Sequence, residues 1–185
     1  MNVPHILPIP NGALPHVVTF LCTGTTQVFQ VSIKATPQAI WDAITSPDWN
    51  AKYGYGCPSY YELRPGGRTH SRASEAMKAY GGPDVIIEGE VIESDPPRKL
   101  VQTWRPLWDP DTAAEGAKQL TWEIAETGAG TCTLTVTHEL SNAPKTRKMV
   151  SGELAEAGGG WPMVLEDLKR LLETGSSNVT EQQQG

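Results

Sequence analysis

The feature that most restricts what this chain can fold into is one apolar stripe near its C-terminus. Trp161, Val164, Leu165, Leu168, Leu171 and Leu172 recur at i, i+3, i+4, i+7, i+10 and i+11. Glu166, Asp167, Lys169, Arg170 and Glu173 fill the intervening positions. This spacing predicts an amphipathic helix with a single buried face. Pro162 stands at its start, and Gly175 stands where a left-handed C-cap is needed. Such a helix is stable only against an apolar surface of similar length, which the rest of the chain must supply.

That surface is a sheet. Phe29, Val31 and Ile33 alternate with Gln30, Ser32 and Lys34, predicting a half-buried strand over 27–34. Thr36-Pro37 and Ser46-Pro47 each read as an N-cap followed by proline at the first helical position. They open two short helices, the second ending near Tyr53. Strands are then predicted over 60–63, 69–77, 85–92, 100–105, 120–124 and 132–138. The breaks between them are Pro65-Gly66-Gly67, Gly81-Gly82-Pro83, Asp95-Pro96-Pro97, a loop with Pro106, Pro110 and Gly116, and a hairpin turn at 127–130. Residues 144–156 hold a further helical turn or two before Gly158-Gly159-Gly160.

The order β-α-α-β6-α predicts an α+β fold. A curved antiparallel sheet of about six or seven strands wraps on the long C-terminal helix. A curved sheet and one straight helix leave space between them, so a cavity is expected. One domain spans residues 27–175. Residues 1–26, with Pro4, Pro8, Pro10 and Pro15, read as a flexible N-terminal arm, and the polar residues 176–185 as a disordered tail.

Composition excludes several functions. The net charge of −6 argues against a nucleic-acid surface, which needs a basic stripe. The run Lys145, Arg147, Lys148 reads as a solvated helix face. No apolar run reaches the roughly 20 residues of a membrane helix, so no membrane insertion is expected. Cys22, Cys57 and Cys132 are sparse and form no C-x-x-C pair, which fits a reducing compartment. Ala13 to Cys22 has the look of a signal-peptide core but no Lys or Arg precedes it, so the expected location is the cytoplasm. Cys57, His70 and His138 lack metal-ligand spacing, and Gly158–Gly160 lacks the lysine of a phosphate loop. No metal or other cofactor is expected. Monomer and homodimer are both open.

Several segments together resemble a known family. They are Phe29 to Thr45 (FQVSIKATPQAIWDAIT), Leu63-Arg64-Pro65-Gly66-Gly67, Gly89-Glu90-Val91 leading to Asp95-Pro96-Pro97, and Leu100 to Arg105 (LVQTWR). Leu120 to Ile124 (LTWEI), Leu134 to Leu140 (LTVTHEL) and Gly160-Trp161-Pro162 to Leu172 complete the set. They resemble the SRPBCC superfamily, whose helix-grip fold is related to START domains. Within it they resemble the branch of the C-terminal domain of the heat-shock-protein-90 ATPase activator. The resemblance implies a hydrophobic cavity for a lipid, a polyketide or an aromatic molecule. It implies no single chemistry, because relatives include binders, cyclases, aromatases and co-chaperones.

Strand parity assigns the cavity face to Leu120, Trp122 and Ile124, to Leu134, Val136 and His138, and to Leu100, Gln102 and Trp104. Trp161 and Leu165 approach it from the helix. Tyr53, Tyr55, Tyr60 and Tyr61 follow the second short helix, and rings with polar tips suit a cavity mouth. The candidate ligand-binding set is therefore Tyr53, Tyr55, Tyr60, Gln102, Trp104, Trp122, His138, Trp161 and Leu165. Trp104, Trp108, Trp122 and Trp161 suit either stacking on a planar ligand or core bulk. His138 is the candidate general acid or base, because it occupies an apolar-parity position. Glu75, Glu88 and Glu90 read as an outer solvated group, although Ile86 and Ile92 share the parity of Glu88 and Glu90. The expected function is binding of a small hydrophobic molecule. The alternatives are a cyclase-, aromatase- or hydrolase-like enzyme using His138 and a tyrosine, and a chaperone-interacting module.

Overall fold

The computed structural model describes residues 17–22 and 24–183. In chain order the elements are strands β1 (Val17–Cys22) and β2 (Thr26–Ile33), helices α1 (Pro37–Thr45) and α2 (Pro47–Asn50), strands β3 (Ser59–Tyr61) and β4 (Arg68–Arg72), and helix α3 (Glu75–Ala79). Strands β5 (Val85–Asp95) and β6 (Lys99–Pro106), helix α4 (Pro110–Ala114), and strands β7 (Lys118–Gly128) and β8 (Thr131–Glu139) follow. Helix α5 (Pro144–Val150), a 3-10 turn (Ala155–Ala157), and helices α6 (Gly160–Thr174) and α7 (Asn178–Gln182) complete the chain.

The strands form one sheet in the order β1-β2-β8-β7-β6-β5-β4-β3, antiparallel at every pairing. Register shifts interrupt the ladders at Ser71/Arg72, Val91/Glu93 and Glu126/Gly128. Bulges of this kind raise local twist and bend the strand that carries them, which curves the sheet. Inside the curve lie α1 and α6. Trp161, Leu165, Leu168 and Leu171 of α6 are buried with Ile40, Trp41, Ala43 and Ile44 of α1. They join Phe29, Val31, Ile33, Leu134 and Val136 of the sheet in a single core. The α+β helix-grip fold is thus as the sequence predicts. Thr36 caps α1 by accepting from Ala39 N at 3.1 Å, and Gly175 ends α6 at φ 78°. Among the described residues no helix is long and apolar enough to cross a membrane.

The structure differs from expectation in five places. Part of the presumed arm is β1, which pairs with β2 from Val17↔Val31 to Cys22↔Thr26 and makes eight strands rather than six or seven. Its sequence, VVTFLC, is rich in β-formers and follows the last proline of the arm; residues 1–16 lie outside the described set. The strand predicted over 69–77 stops at Arg72, because Ser74 accepts from Met77 N and starts α3. The proline-bearing loop contains α4, capped by Asp109. On β5 Ile86 and Val91, of opposite parity, are both buried, with register shifts at Ser71/Arg72 opposite Ile86 and at Val91/Glu93. These irregularities are why alternation alone left the strand's parity ambiguous. The tail, expected to be disordered, carries α7. Its capping box and the bond from Asn178 N to Asp167 Oδ1 (2.8 Å) anchor it to α6.

Candidate functional site

The sheet and α6 enclose a cavity of about 500 Å³. Its floor is the inner face of β6 and β7, with Gln102, Trp104, Leu120 and Trp122. Gly160, Trp161 and Val164 face them from α6, and Ile44, Asn50, Tyr53, Tyr55 and Cys57 close the side nearest α1 and α2. Ser59, Tyr61 and Ser71 contribute from β3 and β4, while exposed Tyr80 and Trp108 stand at the rim.

A continuous chain of edge-to-face rings forms and backs one wall. Trp108 meets Trp104 at 5.9 Å, Trp104 meets His138 at 5.0 Å, His138 meets Trp161 at 6.2 Å, and Trp161 meets Trp122 at 5.2 Å. Interplanar angles of 68° to 89° place ring edges against ring faces, the arrangement that their quadrupoles favour. At the centre, Trp161 Nε1 donates to His138 Nδ1 at 3.2 Å. An imidazole that accepts at Nδ1 carries its proton on Nε2. Burial alone lowers the His138 pKa to about 3, so the ring is neutral at every ordinary pH. His138 is fully buried behind the indoles and does not reach the cavity surface. The residue that parity nominated for acid–base chemistry therefore holds Trp161 and Trp104 in place. Parity gives the face of a sheet, and it gives no information about which side chains on that face stand in front of which.

The opposite side is polar but uncharged. The hydroxyls of Ser59 and Ser71 share a hydrogen bond at 2.7 Å. Asn50 donates to the carbonyls of Ile44 and Ser59 and accepts from Ser59 N at 2.7 Å, which ties the start of β3 to α1 and α2. Burial pushes the Tyr61 pKa up to about 12, with hydrogen bonds from Thr69 and Gln102 working against it. Burial likewise raises Tyr53, Tyr55 and Cys57. All four are therefore protonated and neutral near pH 7. Two polar atoms on cavity-lining side chains have no protein partner, Gln102 Oε1 and Trp122 Nε1. Among the described residues that line the cavity, Glu156 alone carries a charge, and it lies exposed at the rim.

Backbone geometry at the mouth depends on Gly158, Gly159 and Gly160, at φ 83°, 102° and 62°. A Cβ on Gly160 would lie 2.3 Å from Val150 O, and one on Gly158 would lie 2.9 Å from the Tyr55 ring. Tyr55 fastens this turn, donating to Ala157 O at 2.7 Å and accepting from Gly160 N at 3.1 Å. On the far side of Tyr55, Gly54 N donates to buried Asp167 at 2.8 Å. The Ser177 hydroxyl donates to Lys52 O. The loop carrying Tyr53 and Tyr55 is thus held from α6 and from the segment leading into α7.

Of the candidate residues, Tyr53, Tyr55, Gln102, Trp104, Trp122 and Trp161 converge on the cavity. His138, Leu165 and Tyr60 do not. Leu165 is fully buried in the core behind it. Tyr60 points out of β3, stacks on His70 at 5.0 Å and lies under Arg72. Its neighbour Tyr61 faces inward with Ser59, because alternation within a three-residue strand sends these two to the face opposite Tyr60. Ser59, Ser71 and Asn50 were also missed. Small polar residues in short strands and turns carry no hydrophobic period to mark them.

Solved structures with the same fold include three from different bacteria. Protein MLL2253 from Mesorhizobium loti matches with TM-score 0.60 and 22% identity, over 80% of this chain and 96% of that one. EF2215, a conserved protein of unknown function from Enterococcus faecalis, matches with TM-score 0.59 and 19% identity, over 88% and 80%. CalU16 from Micromonospora echinospora matches with TM-score 0.55 and 19% identity, over 81% and 77%. No curated protein matches the sequence significantly. The sequence profile of the activator of Hsp90 ATPase homolog 1-like proteins matches residues 34–173, which include strands β3 to β8, the cavity lining and nearly all of α6, and the chain belongs to that family.

Proposed function

We propose that this protein binds a small, largely apolar molecule, without covalent chemistry, in the cavity between its sheet and α6. The observation that carries this reading is the cavity itself. At about 500 Å³ it lies within the range of small-molecule sites, and indole and phenol rings with a few polar groups line it. The rings are locked by mutual packing and by the Trp161–His138 bond, so the site is formed in advance and little ordering entropy is spent on binding. Among the described residues the lining holds no histidine, and its one ionised side chain, Glu156, lies exposed at the rim, which favours holding over proton transfer.

Native mass spectrometry of the protein purified from its own host, compared with a denatured sample, tests this. The expected result is a small molecule bound under native conditions and lost on denaturation. A mass equal to that of the bare chain, together with no change in tryptophan fluorescence across a panel of apolar aromatic probes, would refute it.

A further inference from the structure

The distribution of polarity inside the cavity narrows what the occupant is, an inference that rests on the binding reading above. One wall is made of indoles, which offer flat faces and edges. Gln102 stands beside them on β6 and offers an amide, while Ser59, Tyr61 and Ser71 of β3 and β4 offer hydroxyls. Gln102 is 2% exposed and Trp122 is 6% exposed, yet Gln102 Oε1 and Trp122 Nε1 lack a protein partner. A buried donor and a buried acceptor left unpaired cost free energy that a polar edge on the ligand can recover. No lysine, arginine or histidine lines the cavity among the described residues. Arg72, at the end of β4, lies outward over Tyr60. An anionic group in the cavity would have no counter-charge, and burying an unpaired charge costs far more than burying a paired one.

We infer that the occupant is an uncharged, flat molecule with a hydroxyl on one edge, which can donate to Gln102 Oε1 and accept from Trp122 Nε1, and that the site discriminates against carboxylates. A carboxylic acid enters only after taking up a proton from water, which leaves the neutral acid in the cavity. Its apparent affinity then falls tenfold for each pH unit above its own pKa.

Three probes sharing one ring system test this: 9-anthracenemethanol, 9-methylanthracene and 9-anthracenecarboxylate. Each is titrated into the full chain from pH 8.5 to 6.0, with energy transfer from tryptophan to anthracene as the signal. At pH 7.5 the alcohol is expected to bind at least ~100-fold more tightly than the carboxylate, given carboxyl reference pKa values near 4. The carboxylate affinity should rise close to tenfold per pH unit on acidification, while that of the alcohol stays constant. The alcohol should also exceed the methyl compound by several-fold, and Gln102→Leu should abolish that preference while the methyl compound still binds. A carboxylate that binds as well as the alcohol, or independently of pH, overturns the inference and leaves the binding reading standing. An alcohol preference that survives in Gln102→Leu overturns the assignment of the polar edge. Failure of all three probes overturns the binding reading, and the inference with it.

Discussion

The neutral, buried imidazole of His138 makes stability depend on pH below about 6.5. Its pKa is lowered from 6.5 to about 3 by burial, so the unfolded chain binds a proton that the folded chain refuses. Stability is therefore fully present above pH 6.5 and falls as the pH drops toward 3. Unfolded-state protonation costs RT ln(1 + 10^(6.5 − pH)), which is about 1 kcal/mol at pH 6.0 and about 2 kcal/mol at pH 5.0. Against a typical domain stability of about 5–15 kcal/mol this is a large share. Urea denaturation at pH 7.5, 6.0 and 5.0 reads it directly. His70 is lowered by partial burial and by Arg68 and Arg72, and acts in the same direction. The observable is accordingly the difference between wild type and His138→Gln, whose amide can still accept from Trp161. Asp109, held below its usual range by Lys145, titrates at lower pH and does not enter this window. The wild-type loss should exceed that of the variant by about 2 kcal/mol at pH 5.0, equivalent to about 4–8 °C in Tm for a chain of this size. Parallel curves for the two proteins would show that His138 is charged or solvated in the folded state, and the account of the aromatic wall would fail.

Gly160→Ala places a methyl group 2.3 Å from Val150 O at φ +62° and should cost more than about 2 kcal/mol, read as a drop in the urea midpoint; Gly175→Ala, with open space around it, should cost less. Leu168→Ala empties a fully buried position under α6 and should cost about 2–5 kcal/mol by the same measurement. Tyr60→Ala should leave binding of 9-anthracenemethanol unchanged, whereas Tyr61→Phe, which removes a hydroxyl from the cavity wall, should weaken it several-fold. Truncation after Gly175 removes the bonds from Asn178 to Asp167 and from Ser177 to Lys52. It should raise amide exchange selectively in residues 52–57 by hydrogen-exchange mass spectrometry.

The fold was legible because it rests on periodicity. The α6 stripe, the alternation on β2, β7 and β8, and the proline and glycine punctuation each report a local preference that the tertiary structure reinforces. Where two preferences competed, strand pairing decided one case and a local helix cap the other. Residues 17–22 follow four prolines yet complete a sheet edge, and Ser74 turns the chain into α3 inside an otherwise strand-like run. On β5 the shifts at Ser71/Arg72 and Val91/Glu93 interrupted the period-2 signal that assigns a strand to one face.

The amino-acid sequence by itself determined the α+β class, the helix that covers the sheet, and the set of apolar and aromatic side chains on the inner face. Only the tertiary structure decided what each of those side chains does. His138 and Trp122 share a face by parity, but His138 lies behind the indoles whereas the Trp122 indole itself lines the cavity. That difference depends on the depth set by packing α6 against a bulged sheet. Tyr60 and Tyr61 are adjacent in the chain and point to opposite sides of one strand. Whether the cavity accepts a charge is likewise invisible in composition, because it depends on which cations the fold turns outward. Local preference is encoded residue by residue, whereas the contents of a cavity are set by distances between elements far apart in the chain.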